Sequence, residues 1–105
     1  MQLMTDELRR KLPPLYATEH QGMDALVLVH YFTPDGDWDW YATEFDGKDL
    51  FFGLANGFEA ELGYFSLSEL EKVRGHLGLP VERDLYWTPV SLQKVENQWR
   101  QRSVA

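Results

Sequence analysis

The sequence predicts an α+β fold: an antiparallel β-meander of four to five strands with an N-terminal helix, a middle helix and a C-terminal helix packed on it. Three observations predict it. The middle of the chain is rich in β-branched and aromatic residues and is cut by turn signals at Pro34-Asp35-Gly36-Asp37 and Asp46-Gly47. Helix-start signals stand at Thr5-Asp6-Glu7 and at Ser66-Leu67-Ser68-Glu69. Near the C-terminus, Leu92, Val95 and Trp99 recur at helical spacing. With 105 residues, 44% of them hydrophobic and 14% aromatic, the chain is read as one domain, 1–105, with a real core.

Each element has its own warrant. In the first helix Leu8 and Leu12 lie one turn apart, and Pro13 and Pro14 end it. Residues 24–32, DALVLVHYF, are apolar on both faces and predict a buried central strand. Trp38 to Phe45 is short and aromatic, with aromatics on both faces, so the pattern favours neither face for burial. A strand from Leu50 to about Leu54 follows, and 58–65 alternates Phe58, Ala60, Leu62 and Tyr64 against Glu59, Glu61 and Gly63. The Ser66 capping box opens a helix over roughly 67–74 that buries Leu67, Leu70 and Val73 and stops at Gly75. A last short strand is expected around 82–87, and the C-terminal helix starts at Thr88-Pro89 or Ser91, its basic end matching the helix dipole.

Composition excludes several classes. No window holds the ~18 apolar residues that a membrane span requires. The start is amphipathic and contains acids, without an apolar signal core, which predicts a cytoplasmic protein. The absence of cysteine removes disulfides, zinc knuckles and thiol chemistry. The net charge of −7 is concentrated: residues 13–66 carry ten acids against Lys48 alone. Such a field repels phosphate backbones and attracts basic surfaces.

The candidate chemical sites are weak. Asp35, Asp37 and Asp39 occupy the first, third and fifth places of a calcium-loop spacing, but Trp40 stands where the sharp turn needs glycine, and the flanks read as strands. Asp37 with Asp39, and Glu59 with Glu61, would project from one strand face about 6.8 Å apart, as in any solvated strand. A small hydrolase using Glu59 and Glu61 is a third reading that needs one of them in an apolar cleft. His20, His30 and His76 lack metal-ligand spacing, and His30 reads as a hydrogen-bonded sheet residue. Ser66, Ser68 and Ser91 read as caps, so no catalytic residue, metal or cofactor is assigned. The aromatics could stack single-stranded bases, which makes an accessory nucleic-acid module the alternative function. The strands that bear them carry most of the surplus negative charge, which disfavours direct contact with nucleic acid.

WYATEFDG at 40–47 and FFGLANGFEAELGYFSLSELEKVRG at 51–75, with KLPPLY at 11–16 and ERDLYW at 82–87, resemble a bacterial domain-of-unknown-function family, number 2958. The resemblance covers about residues 5–92 and implies a small intracellular protein of plasmids and other mobile elements. It implies no activity, ligand or catalytic residue.

The expectation is therefore a non-enzymatic interaction domain. Asp35, Asp37, Trp38, Asp39, Trp40, Glu44 and Asp49 are expected to dock a basic protein surface, such as that of a nucleic-acid-binding host factor, with carboxylates standing in for phosphates. The sequence sets no oligomeric state.

Overall fold

The Thr5 hydroxyl accepts the Leu8 amide at 3.1 Å in the computed structural model, which describes residues 1–103, and α1 runs Asp6–Lys11 before the two prolines. The segment 24–32, expected as one central strand, is instead two short ones: β1, Leu26–Val27, and β2, Val29–Phe32. An unbroken apolar run offers no alternation to fix a single register, so its halves find different partners. β1 leaves the main sheet to pair with β7, Val90–Ser91, in a two-stranded ribbon.

β2 joins the five-stranded antiparallel sheet with β3, Asp39–Phe45; β4, Leu50–Asn56; β5, Ala60–Ser66; and β6, Glu82–Arg83, in the order β5-β4-β3-β2-β6. The central strand is thus β3. Asn56-Gly57 turns the chain from β4 into β5, which leaves Phe58 on a turn rather than in the strand. The middle helix α2, Leu67–Lys72, begins as the capping box requires, with the Glu69 amide donating to Ser66 Oγ at 3.1 Å. It closes at Val73, two residues before Gly75. Ser91 Oγ accepts the Lys94 amide at 3.1 Å and opens α3, Leu92–Ser103.

Both faces of the sheet are covered, which is why both faces of β3 are aromatic or apolar. On one face Val29, Tyr31, Trp40, Ala42, Phe45 and Phe51 pack under Leu12, just after α1, and Leu70 of α2. On the other, Val27, Tyr41 and Leu54 meet Leu92 and Val95 of α3. Each large side chain so buried contributes about 1.5–3 kcal/mol relative to exposure.

A bulge interrupts the alternation. Ala42 pairs with Gly53 and Glu44 with Phe52, so Thr43 is supernumerary. Phe45 can then stay in the layer of Trp40 and Ala42 while Glu44 turns to the α3 side, where Phe52 lies.

The antiparallel order fixes which turns share an end. The turns at 33–38 and 57–59 lie together at one end of the sheet, and the turn at 46–49 lies at the other.

Candidate functional site: the acidic hairpin end and the His30 centre

The seven side chains expected on one partner-facing patch separate into two sets. Asp35, Asp37, Trp38 and Asp39 lie at the end that carries turns 33–38 and 57–59. Glu44 and Asp49 lie at the opposite end, the length of β3 away, or about 20 Å. Trp40 is turned into the core, 7% exposed.

Most of these carboxylates hold the fold together locally. Asp35 Oδ2 accepts the amides of Leu77 at 2.7 Å and Leu79 at 3.2 Å. Burial works to raise the Asp35 carboxyl, but those amides outweigh it and hold the group below the ordinary aspartate range. Glu44 is buried; its Oε1 accepts the Tyr16 amide at 2.9 Å, and its Oε2 accepts the Thr18 amide at 2.8 Å and the Thr18 hydroxyl at 2.5 Å. Asp49 caps α2, accepting the Ser68 amide at 2.8 Å and the Ser68 hydroxyl at 2.9 Å. Asp46 draws the Lys48, Asp49 and Leu50 amides onto one oxygen, and its carboxyl is lowered by them.

At the hairpin end two rings are offered to solvent. Trp38 is 40% exposed and Phe58 is 93% exposed, and they meet edge to face with centroids 5.9 Å apart. Trp38 is held from behind: its amide donates to Thr33 Oγ1 at 3.0 Å, and its ring stacks on Trp40 at 5.9 Å. Gly57 lies against the Trp38 ring so closely that a β-carbon there would overlap it. The exposed carboxylates of Asp37 and Glu59 flank this pair in the sequence. Among the described residues, Lys and Arg ion pairs join Lys11 to Glu7 and Arg100 to Glu96, and none involves an acid of residues 13–66. Arg102 lines the groove beside Trp38 and Phe58, and Arg74 lines the groove on the Trp40 side of Trp38.

On the α3 side, Asp39 belongs to a different structure. His30 Nε2 lies 2.7 Å from Asp39 Oδ1, and its Nδ1 lies 3.0 Å from Asp84 Oδ2. Both acceptors are carboxylates, so the two bonds form together only when the ring carries both protons. The ring stacks on Tyr41 at 4.5 Å and 5° and on Phe32 at 5.6 Å, and Trp87 lies tilted against both His30 and Tyr41, at 5.2 and 5.7 Å. Burial, and after it the Asp39 charge, pushes the Tyr41 phenol up to about 12. Through these contacts His30 ties β2 to β3 and to the turn after β6. Among the described residues no group of three or more His, Asp or Glu side chains converges on a metal position. Among the described residues no helix is long and apolar enough to cross a membrane.

Asn56, which pairs with Asp39 across the β3–β4 ladder, is 0% exposed, and neither amide atom has a hydrogen-bond partner. Sequence reasoning missed Asn56, Asp84 and Phe58 as members of these clusters. The Asn56-Gly57 dipeptide was the available signal, since it is a strong hairpin mark and places Phe58 at a tip.

Residues 3–97 match the family described as "Protein of unknown function (DUF2958)". The chain belongs to this family. The DUF2958 match extends the resemblance at both ends and takes in Leu92 and Val95, the α3 residues that cover the sheet. No curated protein and no solved structure matches the chain.

Proposed function

We propose that this DUF2958 protein is a binding domain that docks a basic protein surface on the hairpin end carrying Asp37, Trp38, Phe58 and Glu59. One observation carries the reading: an aromatic pair is held exposed by Gly57 and Trp40 in a region whose carboxylates have no lysine or arginine ion pair among the described residues. Such rings lose water readily on contact and act as anchors, while the carboxylates steer a cationic partner. The geometry narrows the expected surface, because Asp35, Asp39, Glu44 and Asp49 are engaged within the fold and Trp40 is buried. On a mobile element, the setting that the family resemblance implies, the partner is a nucleic-acid-binding host factor and the carboxylates take the place of phosphates. The second reading, stacking of single-stranded bases, draws on the same rings with Arg102 beside them.

An arginine-rich peptide titrated against Trp fluorescence at two salt concentrations tests the proposal. Binding that weakens at least tenfold in Trp38→Ala and in the Asp37→Asn, Glu59→Gln double variant, and is unchanged in Asp49→Asn, supports it. Equal binding by all variants removes it. Quenching by an oligothymidylate, steeply lost with salt, establishes the second reading instead.

A further inference from the structure

The alternation in β5 points Leu62 and Tyr64 to the same side of the sheet as α3, yet both are about half exposed, because the helix lies over the inner strands. The chain segment before β1 arches over this uncovered strip. Between them lies a pocket of about 250 Å³, below the ~300–1,000 Å³ of drug-sized sites and fit for a compact group.

Its walls have a definite chemistry. Phe52 and Tyr64 meet at 5.2 Å and 65°, two ring faces set nearly at right angles. Tyr16, largely exposed, adds a third aromatic side chain at the mouth, next to Tyr64, whose phenol its proximity raises. Tyr16 is held in the left-handed region, φ 72°, a conformation that costs a non-glycine residue about 1 kcal/mol or more. The Glu44 carboxylate sustains it by accepting the Tyr16 and Thr18 amides. Glu44 itself lines the pocket, buried, with Glu19 at the rim and no lysine or arginine among the lining residues.

A pocket lined by Phe52, Tyr64 and Tyr16 together with a buried carboxylate offers a site for a cation that is itself greasy. An anion is repelled by Glu44 and Glu19, and a bare ammonium would lose its water to ring faces that return few hydrogen bonds. A methylated ammonium fits both requirements: its methyl groups contact the rings, and its spread charge faces their electron-rich faces and the carboxylate. We propose that the Tyr16, Phe52, Tyr64 and Glu44 pocket binds a quaternary or multiply methylated ammonium group. The site lies toward the opposite end of the sheet from Trp38 and Phe58 and stands independently of the docking proposal.

Methyl and amide NMR of the full chain, following Met23, Leu62 and Leu92, tests this with choline, with a peptide bearing trimethyllysine, and with the neutral tert-butyl analogue of choline. Saturable shifts with choline or the methylated peptide, at least tenfold tighter than with the neutral analogue, support the proposal. The tighter of the two shows whether the natural source is a free metabolite or a protein side chain. Tyr64→Leu keeps apolar bulk at a half-exposed position and is expected to weaken binding at least tenfold; Glu19→Gln, at the rim, is expected to weaken it two- to fivefold. The proposal is overturned by equal affinity for the neutral analogue, by shifts that persist unchanged in Tyr64→Leu, or by no saturable shift with either cation at millimolar concentration.

Discussion

Gly75 lies directly against the Asp35 carboxylate, so closely that a β-carbon at position 75 would overlap Asp35 Oδ1. The same carboxylate anchors the loop after α2 through the Leu77 and Leu79 amides. Gly75→Ala is therefore expected to lower stability by about 1–3 kcal/mol, the usual cost of forcing atoms into a filled site, as measured by urea unfolding.

The Asp35 carboxyl is lowered in the folded state, so its contribution is complete above the ordinary aspartate value of 3.8. It is lost as pH falls from there through the lowered value, because the unfolded chain then takes up the proton first. Asp35→Asn should be less stable than the parent at neutral pH and should show a flatter loss of stability on acidification. Parallel acid limbs for the two proteins would refute this.

His30→Leu would leave Asp39 and Asp84 without the ring that joins them. The expected loss is about 1–3 kcal/mol, at the modest end for a broken hydrogen-bonded cluster because both carboxylates keep some contact with water. Hydrogen exchange should quicken at the Asp84 amide, which donates to the His30 carbonyl at 2.9 Å.

Asn56 is fully buried, and its amide atoms have no partners. Replacing it with leucine removes that desolvation cost, and Asn56→Leu is expected to raise stability by about 1–2 kcal/mol in thermal unfolding. A fall in the midpoint would show that the amide is satisfied in solution, by water or by a ligand.

Glu44→Ala removes the acceptor for three donors in the 16–18 segment. A loss of about 2–4 kcal/mol is expected, with exchange at the Tyr16 and Thr18 amides accelerated more than in the sheet.

The parts of the fold that local chemistry controls were legible in the sequence. Thr5, Ser66 and Ser91 cap their helices through their own hydroxyls, and the Asp46-Gly47 turn joins β3 to β4. What depends on distant partners was not legible. The strand break at Leu28 comes from competition between β3 and β7 for one apolar run. The acids looked like one surface because they are close in sequence, but a hairpin sends neighbours such as Asp39 and Asp49 to opposite ends. Their engagement was equally hidden, since Asp35 finds its amides more than forty residues away. His30 was read correctly as a hydrogen-bonded sheet residue, although nothing in its neighbourhood could name Asp84.

The extra residue at Thr43 acts as a change of phase between the two halves of β3. Were Thr43 taken into the ladder instead of bulging from it, every following side chain would turn over, carrying Glu44 into the layer of rings around Trp40 and Phe45 out of it. The irregularity between Ala42 and Glu44 is consequently under a tighter constraint than the side chain at its centre: a serine or valine in place of Thr43 is a local adjustment, whereas an alternation running unbroken through position 43 would have to seat an anion among aromatics.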